Sequence, residues 1–194
     1  MTWLLCDYGE VLSLPQPLAD QEAIESITGQ AGGDFWTSYW DSRPAYDRGD
    51  VTAQSYWTAV LGACPTPTHL DAIIESDAAS WIHPNSPALD AASRASQRGL
   101  QLAIFSNAPL EIAAAIDSRE WLAEFSPRIF SCNLRTIKPE PAAYLAVLAT
   151  LNAGPNDVVF FDDRAANVVA ARQIGIRAEL FTDAQQFDGV QPTE

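Results

Sequence analysis

The chain has 194 residues, 47% of them apolar, with 11 Lys and Arg against 25 Asp and Glu and a formal net charge of −14. That length and apolar content exclude a disordered chain and leave room for a single buried core with an addition. A surface this acidic repels nucleic acid and anionic membranes, so neither is expected as a partner.

Residues 3–6 are a short apolar run ending at Asp7, which predicts a buried strand. Tyr8-Gly9-Glu10-Val11-Leu12 follows as a tight turn, and Pro15 and Pro17 then break the chain. From residue 18 to 83 the apolar positions fall at helical spacing, as in Phe35, Trp36, Tyr39 and Trp40, or Tyr56, Trp57, Val60 and Leu61. Thr52 suits a helix N-cap, and Pro65 and Pro67 separate two helices. This stretch reads as a small helical bundle holding four of the six Trp residues, Trp36, Trp40, Trp57 and Trp81. From Pro84 the rhythm changes to alternating helices and strands. Ser86 to Arg98, Pro109 to Ile116, Pro141 to Leu151 and Ala165 to Ile174 read as helices, with Gly99 and Gly175 closing two of them. Leu100 to Phe105, Arg128 to Ser131, Val158 to Phe161 and Ile176 to Phe181 read as strands. The stretch from Asp183 to Glu194 is polar and is expected to be loosely held.

Strands alternating with helices predict an α/β fold with a doubly wound parallel sheet. Its core takes residues 1–14 and 84–194, with a helical bundle of residues 15–83 inserted after the first strand. In open parallel sheets, ligands bind outside the carboxyl ends of the strands. That rule selects Asp7, Ser106-Asn107, the segment near Lys138, and Asp162-Asp163. Singly, each suits a turn or a helix start. Together they bring a carboxylate, a hydroxyl, an ammonium and an acidic pair to one crevice. Clustered carboxylates repel one another, and Mg²⁺ with its oxygen ligands offsets that repulsion. A phosphate beside the cation would be held by Ser106, backbone N–H groups and Lys138, which leaves Asp7 as a nucleophile towards phosphorus.

These residues resemble, in order, the four motifs of the haloacid dehalogenase (HAD) superfamily: Leu5-Cys6-Asp7-Tyr8-Gly9-Glu10-Val11-Leu12, Ile104-Phe105-Ser106-Asn107-Ala108, Lys138-Pro139-Glu140, and Phe160-Phe161-Asp162-Asp163 through Asn167. The helical insert resembles that superfamily's first type of cap. Arg43-Pro44-Ala45-Tyr46-Asp47-Arg48-Gly49-Asp50 is similar to cap segments of the branch near the epoxide hydrolase N-terminal phosphatase. The resemblance implies a Rossmann-like core and a phosphatase that works through an aspartyl-phosphate on Asp7. It implies Mg²⁺ held by Asp7, the Gly9 carbonyl and Asp163, with Asp162 ranked after Asp163 and Asn167 just beyond the ligands. Tyr8, Gly9, Ser106, Asn107 and Lys138 would contact the substrate, a small phosphate ester.

One position departs from that pattern. Most phosphatases of the superfamily carry an acid/base Asp two residues after the nucleophile, and here Gly9 stands there. Glu10 is the nearest carboxylate. Two other readings use the same fold. A 2-haloacid dehalogenase would need neither metal nor acid, with Arg43 on the substrate carboxylate. A non-catalytic binding protein would follow if nothing replaces the missing Asp. The cap aromatics are expected to form the bundle core, His69 and His83 to lie at the surface or between domains, and Cys6 to be a buried thiol. Three cysteines with no CxxC pair and an N-terminus unlike a signal peptide predict a cytoplasmic protein, monomeric or homodimeric. Ten of the eleven basic residues are Arg, and the single Lys is Lys138. A compact point charge, rather than a planar fork, suits the space between a carboxylate and a phosphoryl group.

Overall fold

The computed structural model describes residues 1–192. The first strand, β1 (Trp3–Cys6), runs into a tight turn over Tyr8–Leu12 in which Gly9 is extended and Glu10 takes the left-handed region at φ +56°. Four helices follow: α1 (Leu18–Thr28), α2 (Gly33–Asp47), α3 (Ala53–Leu61) and α4 (Pro67–Ser80). The side chains of Thr52 and Thr66 cap α3 and α4 by accepting from the N–H groups of Ser55 and His69. The four helices bury their own cluster, which includes Ile24, Phe35, Tyr39, Trp57 and Ile73. All four predicted bundle tryptophans lie in or at the end of this segment, but only Trp57 and Trp36 belong to its cluster. Trp40 is 40% exposed, and Trp81 packs against the sheet cluster that holds Leu4 and Ile104.

The chain re-enters the core at Pro84, which bridges Ser13 in antiparallel fashion. Then come α5 (Ser86–Gln97), β2 (Gln101–Ser106), α6 (Leu110–Asp117), β3 (Arg128–Phe130), α7 (Ser131–Leu134), α8 (Pro141–Leu151), β4 (Val158–Asp162), α9 (Ala165–Gln173) and β5 (Arg177–Leu180). The five strands form one parallel sheet in the order β3-β2-β1-β4-β5. The interiors of the central strands β1, β2 and β4 are apolar because both faces are covered, while the edge strands β3 and β5 carry Arg128, Arg177 and Glu179. Alternation sends Leu4, Cys6, Ile104 and Phe161 to one face, where α5 and α6 pack, and Leu5, Phe105 and Phe160 to the other, where α8 and α9 pack. This is the doubly wound arrangement predicted from the alternating elements.

Two expectations need correction. The third strand ends at Phe130, because the Ser131 hydroxyl turns to donate to the Asp47 carbonyl and to accept from the Ala108 N–H at 3.0 Å. Ser131 thereby opens α7. The C-terminal stretch is docked rather than loose. A helical turn over Ala184–Gly189 buries Phe187, whose ring lies 4.9 Å from that of Phe161, and Val190 is buried beside it. Arg94 ties this turn down through Asp188. Thr193 and Glu194 lie outside the described residues.

Candidate active site

β1 places Asp7 at its carboxyl end, and the Asp7 N–H continues the sheet by donating to the Phe161 carbonyl at 2.8 Å. β2 ends at Ser106, and β4 ends at Asp162 with Asp163 next. These ends share a cavity of about 460 Å³. Its opposite wall comes from the helical insert and its junction, with Trp40, Arg43, Asp47 and Trp81.

Lys138 lies in the loop before α8 and is buried. Its ammonium donates to the Phe105 carbonyl at 2.9 Å and meets Asp162 Oδ2 at 2.7 Å and Asp7 Oδ1 at 2.8 Å, so all three N–H bonds are engaged. Burial disfavours the ammonium, but Asp162 and Asp7 outweigh it and hold Lys138 charged, above its ordinary range. The Asn107 side chain clamps the Lys138 main chain from both sides: Nδ2 donates to its carbonyl at 2.9 Å and Oδ1 accepts from its N–H at 2.9 Å. Asn107 was expected on the substrate. Its amide is spent on Lys138, which leaves only its backbone N–H for a ligand.

Asp7 Oδ1 also accepts from the Tyr8 N–H at 2.7 Å, while Oδ2 has no partner among the described residues. Burial pushes the Asp7 carboxyl up to about 8. Lys138 opposes that rise, and Asp162 adds to it. Tyr8 lines the cavity, with its ring buried and its hydroxyl donating to the Trp81 carbonyl at 2.9 Å. Its contribution to Asp7 is its backbone N–H.

Asp7, Asp162 and Asp163 each offer a carboxylate oxygen within 4.8 Å of the others. Three clustered carboxylates face one ammonium, an excess of negative charge that suits a small hard cation. The three are not equivalent. Asp162 is fully buried, and besides Lys138 its oxygens accept the Arg164 N–H at 2.8 Å and the Asn167 amide at 2.9 and 3.0 Å. Asn167 therefore orients Asp162, one step back from any ligand. The Asp163 carboxyl makes no hydrogen bond among the described residues, and burial raises it first, then Asp162 and Glu10. Asp7 and Asp163 thus hold the available oxygens. Gly9 lines the cavity, and so does Ser106, whose hydroxyl has no protein partner among the described residues.

The insert contributes a network that hydropathy patterning missed. Arg43 is buried, donates through Nε to Asp47 Oδ1 at 2.6 Å, and also donates to the Tyr39 hydroxyl. Tyr39 in turn donates to Asp77 Oδ1 at 2.7 Å, and the guanidinium lies over the Tyr39, Tyr46 and Trp81 rings. The available signal was spacing: Tyr39, Arg43 and Asp47 fall four residues apart along α2.

A family model described as a haloacid dehalogenase-like hydrolase matches residues 16–175. Bifunctional epoxide hydrolase 2 of Rattus norvegicus is 38% identical over 107 residues, which is 51% of this chain and 19% of that protein. Flavin mononucleotide hydrolase 1 of Arabidopsis thaliana is 34% identical over 83 residues, 43% of this chain and 34% of that one. The matches thus span about a fifth and a third of those relatives. A HAD-family enzyme from Bacteroides thetaiotaomicron, solved with magnesium and inorganic phosphate, superposes with a TM-score of 0.77 at 16% identity, covering 94% of this chain and 95% of that one, and so shares its fold. With more than half its length matched and the same parallel core, this chain belongs to the haloacid dehalogenase-like hydrolase family.

Proposed function

We propose that this hydrolase is a Mg²⁺-dependent phosphatase acting on a small phosphorylated metabolite through an aspartyl-phosphate on Asp7. The observation that carries the reading is the Asp7 carboxylate. One oxygen is pinned by Lys138 and the Tyr8 N–H, and the other is uncommitted beside the free carboxyl of Asp163 and the Ser106 hydroxyl. The free oxygen attacks phosphorus, the ester P–O bond breaks, and the ester oxygen leaves as an alkoxide that takes its proton from solvent water. Ser106 and the Asn107 backbone N–H take the phosphoryl oxygens, and Lys138 offsets the charge shared between them and Asp7. Water then attacks the phosphoryl group, releasing phosphate and restoring the carboxylate. Mg²⁺ held by Asp7 and Asp163 supplies the remaining positive charge when bound. Gly9 offers no proton to the leaving oxygen, so esters with stable leaving groups are favoured. The helical insert covers the crevice as a cap and excludes bulk water. Three free thiols fit a reducing cytoplasm, and no helix among the described residues is long and apolar enough to cross a membrane.

Phosphate release across a panel of esters tests this, with Mg²⁺ or EDTA, beside Asp7→Asn. Mg²⁺-dependent release lost by at least about 10³-fold in the variant is expected for a missing nucleophile. Release equal in both proteins sinks the reading, and halide release without Mg²⁺ points to the dehalogenase instead.

A further inference from the structure

We infer that Arg164 is a specificity residue that binds a second anionic group on the substrate, so that the preferred esters carry a carboxylate or a second phosphate on the alcohol. This rests on the phosphatase reading above and names its substrate class.

Three cations line the cavity, Arg43, Lys138 and Arg164. The first two are committed. Lys138 spends every N–H on Asp7, Asp162 and the Phe105 carbonyl. Arg43 is held by Asp47 and Tyr39, with Asp77 nearby. Arg164 differs: its guanidinium makes no hydrogen bond or ion pair among the described residues and acts on Asp163 only through space. The other nine Arg side chains all have partners, whether carboxylates, as for Arg48, Arg94, Arg128 and Arg177, or carbonyls, as for Arg172. In a chain with 25 carboxylates, the one unpaired guanidinium stands on the cavity wall.

Its backbone is fixed while its side chain is free. The Arg164 N–H donates to Asp162 Oδ1 at 2.8 Å, which anchors the residue next to Asp163. A guanidinium there lies beside the phosphoryl seat without being neutralised by it. A cavity of about 460 Å³ is far larger than a phosphate group needs. Its remaining walls carry no further cation: Trp40, Trp81, Ile112 and Ile116 stand there beside the neutral amides of Gln16 and Gln21. The planar fork of Arg164 is therefore the group left to recognise charge on the organic part of the ester, and carboxylate and phosphate both match its geometry.

The test compares 4-carboxyphenyl phosphate with the uncharged 4-acetylphenyl phosphate as a ratio of kcat/KM, so that leaving-group differences cancel between variants. Arg164→Ala should lower that ratio about five- to tenfold, the upper part of the range of one ordinary net hydrogen bond, as suits a solvent-facing guanidinium. Arg164→Glu should lower it further, and Arg164→Lys should keep most of it. A ratio that moves less than about twofold in both the Ala and Glu variants overturns the proposal. Calorimetric titration of the same two esters into Asp7→Asn and Asp7→Asn/Arg164→Ala reads the ratio as dissociation constants, without turnover. No phosphate release from either ester in the unmodified protein would refute the phosphatase reading alone. Equal dissociation constants for the two esters in Asp7→Asn would refute the Arg164 proposal alone.

Discussion

Replacing Lys138 by Met keeps the aliphatic stem and removes the ammonium. Three acceptors then face a thioether: Asp7 Oδ1, Asp162 Oδ2 and the Phe105 carbonyl, which sit 2.7 to 2.9 Å from Nζ. Breaking a buried ion pair by removing one partner costs about 3–5 kcal/mol. In a chain of this length each kcal/mol is worth about 2–4 °C in melting temperature, so a fall of roughly 10 °C is expected without Mg²⁺. The loss should depend on pH with a defined sign. Without the ammonium to oppose it, burial holds the Asp7 carboxyl protonated to higher pH in the folded chain than in the unfolded one. Groups of that kind favour folding at low pH and cease to do so as pH rises through the raised value. The penalty should therefore be smaller at about pH 5 than at about pH 8. Thermal unfolding followed by tryptophan fluorescence at both pH values measures it. A fall under about 2 °C at the higher pH, or a larger penalty at the lower, would refute the view that Lys138 offsets buried charge. Lys138→Arg sharpens the point: a planar fork cannot reproduce three contacts made from one atom, so near-normal phosphate release by that variant would count against the assigned role.

A Cβ at Gly9 would come no closer than 3.7 Å to the Trp81 ring, and φ −62° there suits any residue. Gly9→Asp should therefore fold and raise kcat on alkyl phosphates at least about tenfold, within the 10²–10⁴ usual for acid–base help; an unchanged kcat would show that the acid/base role is filled elsewhere. Asn107→Ala removes both side-chain bonds to the Lys138 main chain, and urea titration should show a loss of about 1–3 kcal/mol. Arg94 holds the Asp188 carboxyl below the usual carboxylate range, so docking of the Ala184–Gly189 turn should be complete above that range and weaken as pH falls through the lowered value. Amide exchange in this turn should then rise in acid, and Asp188→Asn should show fast exchange at neutral pH as well.

Wherever burial covers both sides of an element, its sequence carries a strong signal. Val158–Phe161 is apolar without interruption and Leu100–Phe105 is broken only by Gln101, and the strands lie within a residue of them. The strand-end rule then brought Asp7, Ser106, Lys138 and Asp163 to one cavity. Isolated signals failed. Phe187 and Val190 stand alone in a polar stretch with no period to betray them, yet both are buried against the sheet. Hydropathy cannot show that Asp47, the Tyr39 hydroxyl and the Tyr39, Tyr46 and Trp81 rings surround the Arg43 guanidinium, or that Asp77 accepts from Tyr39. Asn107 follows Ser106 as a ligand residue would, but its amide matches a main-chain N–H and C=O that only the folded loop presents. Asp162 and Asp163 look alike in sequence and differ in the fold. The first faces inward and has its oxygens filled, while the second faces the cavity with none engaged.

The antiparallel bridge between Ser13 and Pro84 means that the chain leaves and re-enters the core side by side. Leu14 N–H donates to the His83 carbonyl at 2.7 Å, Asn85 N–H to the Leu12 carbonyl at 2.9 Å, and the Ser13 hydroxyl adds a bond to the Trp81 carbonyl at 2.8 Å. The two ends of the four-helix segment are stapled together whatever lies between them. Lengthening or exchanging that segment therefore adds little loop-closure entropy, which grows only slowly with length. The segment is a cassette. Evolution, or a protein engineer, can replace the wall that meets the substrate without disturbing the sheet that carries Asp7.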